Sequence, residues 1–307
     1  MPKLDAVTLK QLRALKAVAR AGSITAAADT LGLTPPAVHT QLRGLESALR
    51  CKLLESSGAG GAVLTPEGHA VLQAGAQIDN ALTACLERVR ALQSGLTGVV
   101  VLGVVSTGKY FAPRLVAKLH AAFPDIEVIL KVGNRDQTIR GLQQNNLELT
   151  IMGRPPRSPA VVAYEIGPHP HVLIAPPEHR LAGRNEIEPA ELLAENFIAR
   201  EQGSGTRILM TRYLDRLGKG TPYRQIEMGT NETIKQAVMA GLGIAMISLH
   251  TVSEEIRMGR LVTLPAAWLP IERRWYLLHR EDLTLTPTLA NVRDFILGLK
   301  GDYLPAV

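Results

Sequence analysis

SITAAADTLGLTPPAVHTQLRGLESAL, from Ser23 to Leu49, is the stretch that decides how this chain is read. Ser23 offers the hydroxyl of an N-cap, and Ile24, Ala27, Ala28 and Leu31 behind it recur at spacings of three and four, one apolar face of a short helix. Gly32 then supplies a turn. Thr34 is a second N-cap and Pro35 stands at the first helical position, where a missing N–H costs nothing, so a new helix starts there. Val38, Leu42, Leu45 and Leu49 fall at i, i+4, i+7 and i+11 and face inward, which turns Pro36, His39, Thr40 and Arg43 outward. Small and polar residues near the N-terminus, with an arginine beyond them, suit a helix that enters a major groove. The candidate DNA-binding residues are therefore Ser23, Thr34, Pro36, His39, Thr40 and Arg43. Taken alone, the same residues also fit an ordinary helical hairpin with a solvated face.

Working outward, Thr8 caps an earlier helix whose Leu9, Leu12, Leu15 and Val18 or Ala19 form an inward stripe ending near Gly22. After the hairpin, Lys52 to Glu55 and Ala62 to Leu64 read as two short strands around SSGAGG, a wing beside three helices. Residues 1–65 are thus expected to form a winged helix-turn-helix. Thr65-Pro66-Glu67 repeats the helix-start signal, and no breaker follows until Gly95. Within that linker helix, residues 66–95, Val71, Gly75, Ile78, Leu82, Cys85, Val89 and Leu92 alternate spacings of four and three, a heptad seam. A long helix cannot bury such a seam alone, so a second copy of it is the expected partner, making a homodimer.

From Gly98 onward short β-branched strands alternate with helices, the mark of an α/β domain over residues 96–307. Strands are expected at Val99 to Val105, Ile126 to Val132, Glu148 to Met152, Val172 to Ala175, Phe197 to Ala199, Gln225 to Met228, Ile244 to Ile247 and Arg274 to His279. The closing strand and helix, the latter from Pro287 to Leu299, are placed back on the first subdomain. This makes lobe I residues 96–167 and 269–307, and lobe II residues 168–268. Two such lobes leave a cleft, where ligands of these sheets sit.

Composition narrows the class. The chain has 307 residues, too many for one ordinary core, and 34 basic against 28 acidic residues, a formal charge of +6 that favours a polyanionic partner. Two cysteines far apart, Cys51 and Cys85, suggest neither a disulfide scaffold nor a zinc site. The N-terminus MPKLDAV has no apolar signal core, and no apolar run reaches membrane-spanning length, so a cytoplasmic protein without a membrane partner is expected.

The order winged helix-turn-helix, linker helix, two-lobed α/β sensor resembles a LysR-type transcriptional regulator over essentially the whole chain. Leu45-Glu46 resembles the L-E that closes that family's recognition helix. The segments KYFAPRL (Lys109 to Leu115), MGRPP (Met152 to Pro156), HPHVLIA (His169 to Ala175), GSGTR (Gly203 to Arg207) and TNETIKQAVMAGLGIA (Thr230 to Ala245) resemble the subgroup that controls carbon-dioxide-fixation (Calvin cycle, RuBisCO) operons. The resemblance implies a periplasmic-binding-protein-like effector domain, an inverted-repeat DNA operator, pairing of dimers into a homotetramer, contact with RNA polymerase, and a phosphorylated or nucleotide metabolite as effector. Three positions depart from the family: His39 where a serine is usual, Leu53-Leu54-Glu55-Ser56 at the start of the wing, and Gly58-Ala59-Gly60-Gly61 where the wing tip is usually basic. Missing arginines remove phosphate contacts, so weaker or less salt-dependent DNA binding is expected.

Gly103 to Lys109 spells GxxxxGK, but Tyr110 replaces the Ser/Thr that would hold Mg²⁺, and Gly103 to Val105 read as strand. A nucleotide hydrolase does not follow. The strand-to-helix junction could still hold an anion with Ser106, Thr107 and Lys109. Similar groups stand at other junctions: Asn134 and Arg135, Arg154, Ser204 with Thr206 and Arg207, and Asn231 with Thr233. These eleven are the candidate effector-binding residues, and each alone also reads as a helix cap or a solvated arginine. Glu232 would repel an anion and is expected to cap its helix or orient Arg154 or Lys109. His169, His171, His179, His250 and His279 lack metal spacing, no Ser/His/Asp set stands out, and neither a cofactor nor catalysis is expected. The alternatives are a regulator that senses an aromatic or amino acid, and a solute-binding protein or small enzyme of the same C-terminal fold.

Overall fold

The computed structural model describes residues 4–57, 61–94 and 96–305. Gly58, Ala59 and Gly60 of the expected wing tip, and Gly95 at the expected helix end, lie outside the described residues. The chain divides into two compact units, Met1–Leu86 and Glu87–Val307.

In the first unit the helices are α1 (Leu9–Ala21), α2 (Ile24–Leu31) and α3 (Pro35–Leu49). Each begins at its anticipated cap: the hydroxyls of Thr8, Ser23 and Thr34 accept the amides of Gln11, Ala26 and Ala37 at 3.3, 3.2 and 3.4 Å. Gly32 ends α2 at φ +64°, a left-handed turn that brings α3 back across α2. Leu12, Leu15, Val18, Ala27, Ala28, Val38, Leu42 and Leu45 form one buried core with Leu53. Leu9, expected inside, is 36% exposed, because Ala14 takes the inward place on α1 with Leu12, Leu15 and Val18. Strands β1 (Leu54–Ser56) and β2 (Ala62–Leu64) pair antiparallel as the wing. Glu46 fixes where it starts, accepting the Leu53 amide at 3.0 Å and Lys52 Nζ at 3.2 Å.

Helix α4 (Pro66–Ser94) carries the seam, and its first turns are spent within the same unit. Val71 packs on the winged core, Gly75 is buried beside Leu12, and Asp79 accepts from Lys16 Nζ at 2.7 Å. Further along, Ile78, Leu82 and Val89 are 40%, 37% and 47% exposed, and Leu86, outside the expected seam, is 60% exposed. The side chain of Leu92 lies outside what the structure describes.

The second unit begins with β3 (Gly98–Val105), a 3-10 turn at Ser106–Tyr110, α5 (Ala112–Ala122), β4 (Ile126–Gly133), α6 (Arg135–Gln143), β5 (Leu149–Met152) and β6 (Val161–Pro168). It continues with β7 (His171–Ala175), α7 (Pro189–Leu193), β8 (Asn196–Arg200), α8 (Gly205–Gly218), β9 (Arg224–Met228) and α9 (Asn231–Met239). Last come β10 (Ala245–Ser248), α10 (Leu249–Arg257), β11 (Val262–Leu264), β12 (Arg274–Arg280) and α11 (Pro287–Gly298). One lobe holds a five-stranded sheet in the order β4-β3-β5-β12-β6. The other holds a three-stranded sheet, β10-β7-β11, and the parallel pair β8-β9. The returning β12 therefore joins the first lobe, between β5 and β6.

Three elements exceed the sequence reading. Strand β6 carries Glu165 and Gly167 on an edge and is held only by β12, more than a hundred residues on. Strand β11 has three residues. Helix α10 follows β10 with no breaker between them, so Leu249, Val252 and Ile256 look like a continuation of the strand. The GxxxxGK stretch runs through β3 and a 3-10 turn and does not form a phosphate-wrapping loop.

The chain passes between the lobes twice, after β6 and before β12, and the two crossings hydrogen-bond to each other. The amides of His169 and His171 donate to the carbonyls of Arg273 and Ile271 at 2.7 and 3.0 Å, and the Ile271 amide donates back to His171 at 2.8 Å.

Leu45 is fully buried where all three helices meet, so Leu45→Ala should cost the N-terminal unit about 2–5 kcal/mol. Urea unfolding followed by circular dichroism measures this, and an unchanged midpoint would contradict the core described.

Candidate functional site

The outward face of α3 presents Pro36, His39, Thr40 and Arg43, all exposed, over a buried row of Val38, Leu42 and Leu45. The Thr40 hydroxyl donates to the Pro36 carbonyl at 2.9 Å and keeps its lone pairs outward. Ser23 and Thr34 serve first as caps, which places them at the N-terminal ends of α2 and α3. Free amides and positive dipole ends there suit phosphate oxygens, and His39, Thr40 and Arg43 stand exposed further along α3.

The second unit contains a cavity of about 470 Å³. Ser106 and Thr107 reach it from the turn after β3, Arg135 from the start of α6, Arg154 and Arg157 from the segment after β5, and Arg273 from the second crossing. The other lobe contributes Ser204 and Thr206 from the start of α8 and Arg212 from two turns further along it. The hydroxyl of Ser204 makes no cap hydrogen bond, so the first amides of this 14-residue helix open on the cavity beside Thr206. At α6, by contrast, Asn134 and Gln137 form a capping box and use those donors up.

Five arginines thus share one space, and among the described residues that line it there is no carboxylate. Burial, and then Arg154, lower the pKa of both Arg135 and Arg273, with Arg212 adding to the effect on each. Asp136, next in the chain to Arg135, opposes the shift there. The Arg135 guanidinium donates to the Arg154 carbonyl at 2.7 Å, a contact that brings the two charges together instead of neutralising either. Unrelieved repulsion of this kind is what a multiply charged anion would remove.

Of the eleven candidate effector residues, Ser106, Thr107, Arg135, Arg154, Ser204 and Thr206 line the cavity, and the other five do not. Lys109 pairs with Glu232 at 3.3 Å, and the Tyr110 hydroxyl donates to the same carboxylate. Asn134 caps α6 and donates to Glu201 at 3.3 Å. Arg207 donates to Glu227 and to the Arg200 carbonyl. Asn231 is buried and accepts from Arg200, and Thr233 bonds with Thr230 at the start of α9. Tertiary partners that spacing cannot reveal took Lys109, Arg207 and Asn231, whereas Thr233 and, in part, Asn134 are used in the caps of their own helices. The sequence reading missed Arg157, Arg212 and Arg273, none of which stands at a helix start, and also missed buried Arg200, which reaches across the lobes to Ser106 Oγ at 3.0 Å.

Two histidines of the first crossing, His169 and His171, also line the cavity. His169 stacks on Trp275 with ring centroids 3.7 Å apart and an interplanar angle of 14°. Trp275 in turn donates its indole N–H to His250 Nδ1 at 3.1 Å. Gly153 makes the stack possible: a Cβ there would lie 2.6 Å from His169 Nδ1. Burial pushes His171 and His250 down to about 4, and His169 well below the usual imidazole range with His171 as the next cause. No group of three or more His, Cys, Asp or Glu side chains that could hold a metal occurs among the described residues, and no helix there is long and apolar enough to cross a membrane.

Comparison with known proteins agrees with this division. Residues 9–69 match the bacterial regulatory helix-turn-helix protein, lysR family, and residues 93–299 match the LysR substrate binding domain. The chain is 53% identical over 306 residues to the HTH-type transcriptional regulator CbbR of Cereibacter sphaeroides, covering 99% of each chain. It is 40% identical to the RuBisCO operon transcriptional regulator of Allochromatium vinosum, covering 95% of this chain and 96% of that one. Among solved structures, the Synechocystis CcmR regulatory domain in complex with 2-PG matches at TM-score 0.63 and 35% identity, over 66% of this chain and 98% of that one. Full-length CbnR with its target DNA shares the fold at TM-score 0.72 and 22% identity, over 94% and 98%. The N-terminal reading head, the two-lobed domain behind it and these near-full-length matches together show that the chain belongs to the LysR family of DNA-binding transcriptional regulators.

Proposed function

We propose that this regulator acts at a carbon-fixation operon and that a small phosphorylated metabolite, bound in the cleft of the second unit, changes its hold on the promoter. The observation that carries the effector class is the cavity itself: five arginines and five Ser/Thr hydroxyls, with no carboxylate among the described lining residues. An amino acid brings an ammonium group that needs an acceptor of opposite charge, and an aromatic acid offers one carboxylate to five cations. A phosphorylated acid spreads several negative oxygens over the arginines and hydroxyls, as charge-assisted bonding favours. The 2-PG bound to the CcmR domain and the naming of the CbbR and RuBisCO-operon relatives support the same reading.

DNA recognition would run through α3, with Ser23, Thr34 and Pro36 positioning and His39, Thr40 and Arg43 reading an inverted repeat. Two heads would be held together by a homodimer along α4, whose Ile78, Leu82, Cys85 and Val89 are exposed in the single chain. Dimers would pair further into a tetramer. RNA polymerase would then be met at the promoter.

Three outcomes test the proposal. Calorimetry with 2-phosphoglycolate should show binding that Arg273→Met weakens on the order of tenfold or more, the loss of one charge-assisted contact; heat from an aromatic acid but none from the phosphorylated one would sink the effector class. Arg43→Ala should weaken operator binding by about 1–3 kcal/mol in gel-shift titrations if Arg43 is bidentate to a base, and an unchanged footprint removes it from the reading surface. Leu82→Asp should shift the chain toward monomer in sedimentation equilibrium, whereas an unaltered mass rules out α4 as the dimer seam.

A further inference from the structure

The feature left unused is the pair of neutral histidines in the crossing between the lobes. His169 and His171 lie in the wall of the arginine cavity, 3% and 5% exposed. Both ring nitrogens of His169 lack a hydrogen-bond partner among the described residues, and His171 Nδ1 meets the His169 carbonyl at 3.1 Å. A buried imidazole with both nitrogens unpartnered is costly, and the fold nonetheless holds this one flat against Trp275, with the His171 ring 4.3 Å away.

Burial is the first reason the pair stays neutral, and the charge around it, Arg273 in particular, works in the same direction. Arg273 stands on the facing crossing, Arg154 and Arg157 follow β5, Arg135 opens α6, and Arg212 projects from α8 into the same space. His250 of α10 is the other titratable group against the stack. Of the nearby acids, Glu165 on β6 and Glu272 on the second crossing are both exposed, and Glu165 is paired with Arg274 at 3.6 Å. Every charge in the cavity wall thus opposes a proton on these rings. An anion placed among the arginines reverses that field.

We propose that the cavity binds its anion together with a proton, which passes from solvent to the imidazole of His169 or His171 as the negative charge arrives. This rests on the cavity being an anion site, as argued above, and adds to it a proton coupled to the effector. By linkage, binding then tightens as pH falls. Burial pushes His171 down to about 4 and His169 well below the usual imidazole range, so both rings are neutral in the free protein near neutral pH and the proposed proton arrives with the ligand. The crossing is also where the chain passes from one lobe to the other, so the charge change occurs in the segment that joins them.

The experiment is calorimetry of the full chain with 2-phosphoglycolate at pH 6 and pH 8, each in two buffers of different ionisation enthalpy, for the wild type and for His169→Gln and His171→Gln. The probe's own ionisation is common to all and cancels in the comparison. The wild type should take up a larger fraction of a proton than one or both variants at pH 6. Its affinity relative to that variant should rise on the order of fourfold from pH 8 to pH 6. Should a variant fail to fold, the ¹³Cε1 histidine resonances of the wild type decide the matter: with probe bound, one crossing imidazole should titrate at clearly higher pH than without it. Binding with equal proton counts in all three proteins, or with no moved titration, overturns the proton coupling and leaves the anion site standing. Absence of binding by the wild type at either pH overturns both.

Discussion

Unrelieved repulsion among the cavity arginines is the interaction on which the behaviour of the second unit depends. Arg135, Arg154, Arg157 and Arg273 come from the first lobe and its crossing, Arg212 from the other, and none forms an ion pair among the described residues. Between the lobes that repulsion runs from Arg212 to the other four. Opposing it is a set of contacts across the cleft: Arg200 to Ser106, Asn134 to Glu201, Lys109 and Tyr110 to Glu232, and the Asp136 amide to the Gly203 carbonyl. Repulsion at the site and latching beside it give the lobes two tendencies of opposite sign. An anion acts on the first and leaves the second in place, which is the differential contact a population shift requires.

Arg200 shows how the latch is kept from becoming part of the binding site. Its guanidinium is buried and engaged by Glu201, Asn231 and Ser106, so its charge is compensated before any ligand enters. Ser106 therefore faces two ways, accepting from Arg200 on one side and lining the cavity on the other. A ligand that recruits its hydroxyl draws on a group already tied to the opposite lobe. Binding and lobe contact are linked through that one oxygen.

The N-terminal half was legible in the sequence because its determinants are local. A cap, a proline and an apolar stripe lie within a turn or two of the helix they start, and α1, α2 and α3 begin at the residues anticipated. The cavity was legible only where a binding group coincides with a helix start, as at Ser106, Arg135 and Ser204. Arg212 and Arg273 are brought together by topology across sixty residues, and no spacing announces that. The same limit explains Arg207, a better candidate by position than Arg212, which β9 captures through Glu227 while Arg212 reaches the cavity. The seam of α4 was legible as a period but not as an allocation: Val71 and Gly75 are spent on the winged core, and the exposed apolar positions begin at Ile78.

What joins ligand to promoter in such a molecule is constrained by reciprocity more than by any particular path. If an effector alters the affinity for DNA by some factor, DNA alters the affinity for the effector by the same factor, and each tenfold of coupling corresponds to about 1.4 kcal/mol. That is comparable to one charge-assisted hydrogen bond, a small part of what five arginines can exchange with a phosphorylated ligand. The cavity therefore has interaction energy to spare, and what limits the coupling is how differently the two lobe arrangements hold the anion. Arg212 is the group most exposed to that difference, because it alone among the five arginines belongs to the second lobe. Its distance from the other four depends on how the two lobes are placed. On the proposed reading the four arginines of the first lobe and its crossing would hold the anion from one side, and Arg212 would make the affinity depend on how the lobes are placed.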